Sequence, residues 1–475
     1  MPRKQDRRDF IRLTASAATG IAAIGETSGT HASVSEPAGE IKVRLTAGTK
    51  RYSEEPSIRW GTARPGAANS IAFDSSRKYQ TMLGFGASFT DASCYMFNQL
   101  ATADRERLFT ELFDTSGMGF SVGRICMGSS DYATKMYSYD EGEPDPEMVR
   151  FSIDHDRAYI IPMLRKARQL NPDFFLLASP WSPPGWMKGN NSMLGGAMRR
   201  ESLPAYAKYF LKFLQEYAAA GVPVDAVTSQ NEVDAEQGGK MPACVWPQEL
   251  EIEFISRQLG PTLRSSNLAT KIWLLDHNYD LWGRVLCQLE VPDVNKYVDG
   301  VAWHGYSGKP SSMTKVHDAY PDKHMYWTEG GPSYREPRYQ TNWTRWARTF
   351  SQILNNWCRC IIGWNLALDE KGRPNIGHFD CGGVVTIHSE TKEITRSGQY
   401  WAFAHYSRAI RRGAQRIDSQ GAIGSVSHVA FQNPDGSKAA VLTNSGQETS
   451  IVISDSGRSV DVFLPADSVI TLTWA

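Results

Sequence analysis

Residues 224–232 read VDAVTSQNE, a short apolar run that ends in two amides and a carboxylate. The apolar part is typical of a buried strand. A plain turn would be the usual ending, but Gln230, Asn231 and Glu232 follow instead. Polar side chains at the carboxyl end of a strand are typical of barrels that carry their chemistry on the loops after the strands.

Further runs of the same kind lie on both sides of this one. They are MLGFGASF at 82–89, SVGRICMG at 121–128, FFLLASPW at 174–181, KIWLLDHN at 271–278, DGVAWHGYS at 299–307, HMYWTEGG at 324–331 and CIIGWNLAL at 360–368. Amphipathic helical patterns such as LPAYAKYFLKFLQEYAAAG separate them. This alternation predicts an α/β fold, a parallel sheet closed into a (β/α)8 TIM barrel. An open doubly wound sheet is the alternative, but no Gly-rich phosphate loop follows an early strand.

The two ends of the chain have a different pattern from the middle. Residues 414–475 contain short alternating strands with turn signals, and residues 33–77 contain the strand patterns IKVRLTAG and SIAFDSS. Such strands are typical of a β-sandwich. We therefore expect an attached β-sandwich domain built from segments 33–77 and 414–475, beside a catalytic barrel formed by residues 78–413.

Residues 1–32 are typical of an export signal. The pair Arg7 and Arg8 precedes a weakly apolar run that is too short, and too rich in small residues, to span a bilayer. The paired arginines favour the twin-arginine route, with cleavage after Ala32. We expect the mature protein to be periplasmic or extracellular. A basic arm with a chance arginine pair is the alternative.

Composition and charge limit the classes of partner. Lys and Arg together number 51, as do Asp and Glu, so the formal net charge is zero. A nucleic-acid-binding surface usually carries an excess of basic residues, so nucleic acid is not expected as a partner. No other stretch predicts a membrane span. The 7 scattered cysteines contain no CxxC pair, which favours buried thiols over metal ligands. A disulfide between distant cysteines and the oligomeric state stay open.

Two glutamates stand at the ends of predicted barrel strands. Glu232 follows the fourth strand and Glu329 ends the seventh. These strands lie on opposite sides of an eight-stranded ring, so both side chains could face one cleft. Facing carboxylates suit the hydrolysis of an acetal, because neighbouring acids push their pKa values apart and can divide the roles of acid/base and nucleophile. Loop carboxylates without a chemical role are the alternative.

Several motifs resemble glycoside hydrolase family 30, and in particular its glucosylceramidase (glucocerebrosidase)-like bacterial members. They are GFGASFTDAS, SPWSPPGWMKGN, TSQNE, WTEGG and WNLALDEKGRPN, and the resemblance extends over nearly the whole chain after the signal. It implies a (β/α)8 barrel with an attached β-sandwich. It also implies hydrolysis of β-linked glycosides with retention, without a cofactor or a metal.

The resemblance also implies roles for individual residues. Glu232 corresponds to the acid/base and Glu329 to the nucleophile, and Asn231 is placed to bind the sugar 2-hydroxyl. The other residues implied to bind substrate are Asp131, Trp181, His304, Tyr306 and Trp364. Arg124 is implied to support the ionised form of Glu329, and His378 occupies a position near the sugar 6-hydroxyl where an Asn is expected.

These observations predict an exported retaining β-glycosidase, most similar to a glucosylceramidase, that works through a glycosyl-enzyme. The change at His378 leaves the sugar open, and the loop GNNSMLGGAMRR leaves open the group beyond the cleaved bond. An endo-β-1,6-glucanase, a β-xylosidase and a β-fucosidase of the same family are alternatives, so exo and endo action both stay possible. A carbohydrate-binding protein on a degenerate barrel is the non-enzyme alternative. A metal-dependent hydrolase lacks support because the chain has no HExxH motif.

Overall fold

The computed structural model describes residues 39–64 and 66–475. The export signal predicted for residues 1–32, and the localisation inferred from it, lie outside these ranges. Within the described part of the chain, no helix combines the length and the apolar character that a membrane span requires.

The described chain begins with strands of the β-sandwich. They are β1 (Glu40–Ala47), β2 (Lys50–Arg59), β3 (Gly61–Thr62) and β4 (Ser70–Thr81). Strand β4 continues to Thr81, so the sandwich segment extends four residues beyond the expected end at 77.

The eight apolar runs form the eight strands of a closed parallel barrel. The strands are β5 (Gly84–Ser88), β6 (Val122–Cys126), β7 (Phe175–Ser179), β8 (Ala226–Thr228), β9 (Lys271–Asn278), β10 (Val298–His304), β11 (His324–Glu329) and β12 (Cys358–Asn365). Strand β12 pairs in parallel with β5 and closes the ring. The predicted TIM barrel is confirmed.

Helices cover the outside of the barrel. They are α1 (Asp91–Asn98), α2 (Thr102–Phe113), α3 (Asp154–Arg157), α4 (Ile160–Leu170), α5 (Leu203–Ala219), α6 (Gln248–Glu253), α7 (Gly260–Ser265), α8 (Trp282–Leu289), α9 (Pro292–Tyr297), α10 (Ser311–Ala319), α11 (Trp343–Leu354) and α12 (Gly398–Ser407). Helix α5 shows why they pack there: Phe210, Phe213 and Tyr217 are buried, whereas Lys208 and Lys212 are exposed. An apolar stripe of this kind gains free energy only when it is covered by the sheet.

Large side chains fill part of the barrel interior. The ring of Trp273 stacks on that of Tyr326 at a centroid distance of 3.7 Å, and Phe175 stacks on the same tryptophan. Trp273 and Tyr326 form a buried cluster with smaller residues such as Val122 and Ala302, and the partly buried Phe175 packs against it. A filled interior leaves the loops after the strands as the place for a cavity.

After the barrel, the chain forms a small sheet and then returns to the sandwich. The small sheet contains β13 (Ala367–Leu368), β14 (Val385–Ile387) and β15 (Ile394–Arg396). The last strands are β16 (Gln415–Gln420), β17 (Val426–Gln432), β18 (Lys438–Asn444), β19 (Thr449–Asp455), β20 (Arg458–Leu464) and β21 (Ser468–Trp474). Together with strands β1, β2, β3 and β4 they form one ten-stranded sheet. The predicted domain built from both chain ends is therefore confirmed.

Candidate active site

Glu232 and Glu329 line the same cavity, which has a volume of about 320 Å³. Glu329 is the last residue of β11, and Glu232 lies four residues after β8. The cavity therefore lies at the carboxyl ends of the barrel strands, where the sequence pattern places it. The other lining residues are mostly aromatic or polar, and include Asp131, Trp181, Asn231, Gln237, His277, Tyr306, Trp364 and Phe379.

Glu329 is held by donors on both carboxylate oxygens. The Nη1 of Arg124 donates to Oε2 at 2.5 Å, and the hydroxyl of Tyr306 donates to Oε1 at 3.0 Å. Tyr306 has 49% of its surface exposed, so it also forms part of the cavity rim. The two donors orient Glu329 and stabilise its negative charge.

Glu232 meets different partners. The Nε2 of Gln237 donates to Oε2 at 2.8 Å, and the Nδ1 of His304 lies 3.4 Å from Oε1. Burial raises the pKa of Glu232, but the hydrogen bond and charge of His304 and the charge of His277 outweigh it, so the pKa is lowered overall. The backbone of Glu232 has φ of 53°, a left-handed conformation that costs roughly 1–3 kcal/mol in a non-glycine residue.

His304 lies beneath both carboxylates. Its Nε2 is 3.0 Å from Asp276 Oδ1 and 4.0 Å from Glu329 Oε2. Burial lowers the pKa of His304, but the charges and hydrogen bonds of Glu329, Asp276 and Glu232 raise it to about 9. The imidazole is therefore protonated at neutral pH. His304 is fully buried and is not among the residues that line the cavity, and its observed contacts are with the carboxylates. Its role in substrate binding stays a prediction.

Arg124 and Asp276 form the centre of the buried network. The Nη2 of Arg124 donates to Asp276 Oδ2 at 2.8 Å and to Asn231 Oδ1 at 2.6 Å. Burial raises the pKa of Asp276, but Arg124 and His304 lower it far more, so this carboxylate is ionised. Sequence reasoning overlooked Asp276, although it lies among the polar residues at the end of the run KIWLLDHN and the strand-end rule that found Glu232 applies to it equally.

The two amides that follow β8 have different uses. A guanidinium donates only, so its bond to Asn231 Oδ1 fixes the amide orientation and leaves Nδ2 as a donor on the cavity wall. Gln230 is fully buried, donates to the Trp181 carbonyl at 2.6 Å and accepts from Trp246 at 3.2 Å. Asn231 is therefore available to a ligand, whereas Gln230 braces the loop.

Trp181 and Trp364 form a stacked pair on one wall, with ring centroids 5.1 Å apart and an interplanar angle of 20°. The guanidinium of Arg124 lies 4.7 Å from the Trp181 ring centroid, within the range of a cation–π contact. Asp131 also lines the cavity, and burial and the charges of Glu329 and Glu232 raise its pKa well above the usual value. A carboxyl with a raised pKa can donate as well as accept hydrogen bonds.

The loop that carries His378 closes another side of the cavity. The hydroxyl of Tyr132 donates to the Phe379 carbonyl at 2.9 Å and accepts from the backbone of Cys381 at 2.8 Å. Phe379 and Cys381 line the cavity, whereas His378 is exposed and does not. The His378 ring instead packs against that of Phe379, with ring centroids 4.2 Å apart, and its place near the sugar 6-hydroxyl stays a prediction.

The loop GNNSMLGGAMRR is anchored by a buried cation. Lys188 is fully buried and donates to Ser182 Oγ, to the Met193 carbonyl at 3.0 Å and to the Ala243 carbonyl at 2.6 Å. These bonds fix the loop against the segment that places Met241 in the cavity wall. Lys188 therefore shapes the cavity without entering it.

Comparison with known proteins agrees with this architecture. The family model "Glycosyl hydrolase family 30 TIM-barrel domain" matches residues 82–410, and "Glycosyl hydrolase family 30 beta sandwich domain" matches residues 413–472. The chain belongs to glycosyl hydrolase family 30. The protein is thus a glycoside hydrolase, and the non-enzyme alternative falls.

Individual relatives within family 30 differ in their named substrates. The chain is 33% identical to the endo-1,6-beta-D-glucanase of Neurospora crassa, over 86% of this chain and 90% of the relative. It is 31% identical to putative glucosylceramidase 1 of Caenorhabditis elegans, over 85% of this chain and 82% of the relative. A solved endo-beta1,6-glucanase structure is 29% identical, covers 92% of this chain and 100% of its own, and superposes with a TM-score of 0.84.

Proposed function

We propose that the protein is a retaining β-glycosidase that cleaves internal linkages of β-1,6-linked glucan. The observation that carries the reaction class is the pair Glu232 and Glu329 in one aromatic-walled cavity, each held by its own set of donors. Paired carboxylates across a sugar-sized gap are the means by which most glycosidases cleave an acetal.

Glu329 is proposed as the nucleophile. Its contacts with Arg124 and Tyr306 hold one carboxylate oxygen in position to attack the anomeric carbon. The C–O bond to the leaving group breaks as the bond to Glu329 forms, which gives a glycosyl-enzyme. Water then attacks the same carbon and releases Glu329.

Glu232 is proposed as the acid in the first step and the base in the second. The proton for the first step is held beside it on His304, 3.4 Å from Glu232 Oε1. Because His304 is buried and Glu232 lines the cavity, only the carboxylate can reach a leaving oxygen. We infer that Glu232 passes this proton to the leaving oxygen and later takes one from the attacking water.

The residues around the carboxylates suit a sugar ring. Asn231 offers its Nδ2 and Asp131 its carboxyl for hydroxyl groups, while Trp181 and Trp364 give apolar surface for the ring faces. Tyr306 and Phe379 are 49% and 41% exposed and flank the cavity. Exposed aromatic rims favour further sugar units on either side, which supports action within a polysaccharide.

The relatives support β-1,6-glucan as the substrate more than glucosylceramide. Endo-1,6-beta-D-glucanases from two further fungi are 30% and 29% identical to the chain, and a solved endo-beta1,6-glucanase shares its fold over nearly its full length. These similarities favour the endo-β-1,6-glucanase, an alternative in the sequence analysis, over the glucosylceramidase preferred there. Glucosylceramide remains the second candidate, since relatives named as putative glucosylceramidases are almost equally similar.

A substrate panel tests this proposal. Linear β-1,6-glucan, glucosylceramide, and aryl β-glucoside, β-xyloside and β-fucoside are incubated with the protein, and the products are separated by size. We expect β-1,6-glucan to give a series of oligosaccharides at the highest kcat/KM. Release of glucose alone, or faster cleavage of glucosylceramide, would overturn the substrate assignment and leave the reaction class intact.

A further inference from the structure

Beside Glu232, two imidazoles converge on one carboxylate oxygen. The Nδ1 of His304 lies 3.4 Å from Glu232 Oε1, and the Nδ1 of His277 lies 3.8 Å from the same oxygen. Gln237 occupies Oε2, which leaves Oε1 facing both rings. The three side chains offer ligand atoms that lie within 4.8 Å of one another.

The outer nitrogens of both rings are held by carboxylates. Asp234 Oδ1 lies 2.7 Å from His277 Nε2, and Asp276 Oδ1 lies 3.0 Å from His304 Nε2. A carboxylate behind an imidazole fixes the orientation and tautomer of the ring, and metal-binding histidines almost always have such a partner. Both rings are therefore oriented with Nδ1 toward Glu232.

A second observation, independent of the spacing of the three side chains, concerns His277. Its residue surface is 7% exposed, and its buried Nδ1 has no hydrogen-bond partner within the described part of the chain. A buried polar atom without a partner costs free energy, so such an atom indicates a missing ligand or a role. The proposed hydrolysis does not use this nitrogen.

We propose that Glu232, His277 and His304 form a site for a divalent transition-metal ion such as Zn²⁺, which inhibits the enzyme when bound. In a tetrahedral zinc site the bonds are about 2.0–2.1 Å long, so ligand atoms lie about 3.3 Å apart. The carboxylate–imidazole separations of 3.4 and 3.8 Å are close to this value. Two imidazoles and one carboxylate favour zinc, copper or nickel over magnesium or calcium, which prefer oxygen ligands.

A metal ion bound at this site would inhibit hydrolysis because it binds Glu232. A metal ion on Oε1 occupies the lone pair that Glu232 uses to give and take a proton, and its fourth position faces the cavity that Glu232 and His277 line. Each imidazole binds through a neutral Nδ1, so the proton on that nitrogen of His304 leaves to solvent. Only the inhibition rests on the proposed function; the binding does not.

Calorimetric titration of the full chain with ZnCl₂ tests the site, with MgCl₂ as the comparison ion. We expect one Zn²⁺ per chain and no binding of Mg²⁺ at the same concentrations. His277→Asn should weaken zinc binding at least tenfold, and Asp234→Asn, which removes only the carboxylate behind the ring, about 10- to 100-fold. His317→Asn, on the partly exposed helix α10, is the matched control and should bind zinc as the wild type does.

Hydrolysis measured in the same samples separates this inference from the proposed function. We expect wild-type activity to fall with zinc occupancy and to return with a chelator, and Asp234→Asn to need a correspondingly higher zinc concentration. Equal zinc affinity in wild type, His277→Asn and Asp234→Asn would overturn the site. If the two variants lose zinc binding but the wild-type protein shows no glycosidase activity, the metal site is supported and the proposed function is overturned.

Discussion

Two fully buried histidines of this enzyme have opposite electrostatics. His304, under the cavity, is surrounded by the carboxylates of Glu232, Asp276 and Glu329, which raise its pKa to about 9. His405, on α12, lies between the barrel and the sandwich, and burial together with the charge of Arg408 lowers its pKa to about 3. Burial opposes the charge on both rings, so the partners decide the result.

The partners also explain what each region does. Within the described residues, the His405 ring hydrogen-bonds to two hydroxyls, at 2.8 Å from Thr471 of β21 and 2.8 Å from Thr46 of β1. As a neutral ring it links the helix to two sandwich strands. In the charged region at the barrel mouth, His304 holds a proton beside the reacting carboxylates Glu232 and Glu329. The neutral contact serves stability, and the charged one serves chemistry at a cost in stability.

The largest expected effect concerns the charge on Glu329. Glu329→Gln removes the nucleophile and one of the carboxylates that keep His304 protonated, so turnover should fall by about 10⁴-fold or more. Hydrolysis of β-1,6-glucan and of an aryl β-glucoside measures the loss. Glu290→Gln, at an exposed position after α8, is the control and should keep full activity. Comparable activity in both variants would remove Glu329 from the mechanism.

Glu232→Gln should have an effect that depends on the leaving group. We expect a loss of about 10²–10⁴-fold on glucan, because general acid catalysis contributes that much. On an aryl glycoside with an acidic phenol the first step should lose far less, since the departing oxygen needs little protonation. A series of aryl glycosides with different phenol pKa values measures this dependence. Equal losses across the series would contradict the acid/base assignment.

Asp276→Asn tests the charged region by removing one buried charge without changing the shape. Arg124 and His304 then lose an ionised partner, and breaking a buried ion pair in this way typically costs about 3–5 kcal/mol. The free energy of unfolding at neutral pH, from denaturant titration, measures the loss. Asp318→Asn, at an exposed position on α10, is the control. A loss below 1 kcal/mol would show that the charges under the cavity do not depend on Asp276.

The smallest effect concerns the neutral histidine. The folded pKa of His405 is about 3 and lies below its ordinary value of 6.5, so its contribution to stability is complete above pH 6.5 and is lost as the pH falls toward 3. Between pH 6.5 and 5 this loss is about 2 kcal/mol. His405→Gln should lack this component of the pH dependence. Identical slopes for variant and wild type would contradict a neutral buried imidazole.

The fold was predictable because its signal repeats along the chain. Each barrel strand is a short apolar run that ends in polar residues, and the two glutamates follow from the same rule. Asp276 obeys that rule and was overlooked only because its neighbours resemble no functional motif. The position of His378 was not predictable, since the direction of a loop side chain depends on distant contacts such as those of Tyr132.

The burial of His304 could not be read from the sequence either. Its neighbour Tyr306 reaches the cavity from the same strand end, and local spacing cannot tell which of the two side chains is covered. The convergence of His277 and His304 on Glu232 joins the ends of three neighbouring strands, β8, β9 and β10, so it depends on strand pairing that local sequence spacing does not reveal.

The stereochemistry of the first product tests the double displacement most directly. Proton NMR during the first minutes of β-1,6-glucan hydrolysis resolves the anomeric signals of the new reducing ends before they equilibrate. Attack by Glu329 followed by attack of water inverts the carbon twice, so the β-anomer should appear first and the α-anomer only by later mutarotation. Initial formation of the α-anomer would mean direct attack by water and would contradict the roles given to both glutamates.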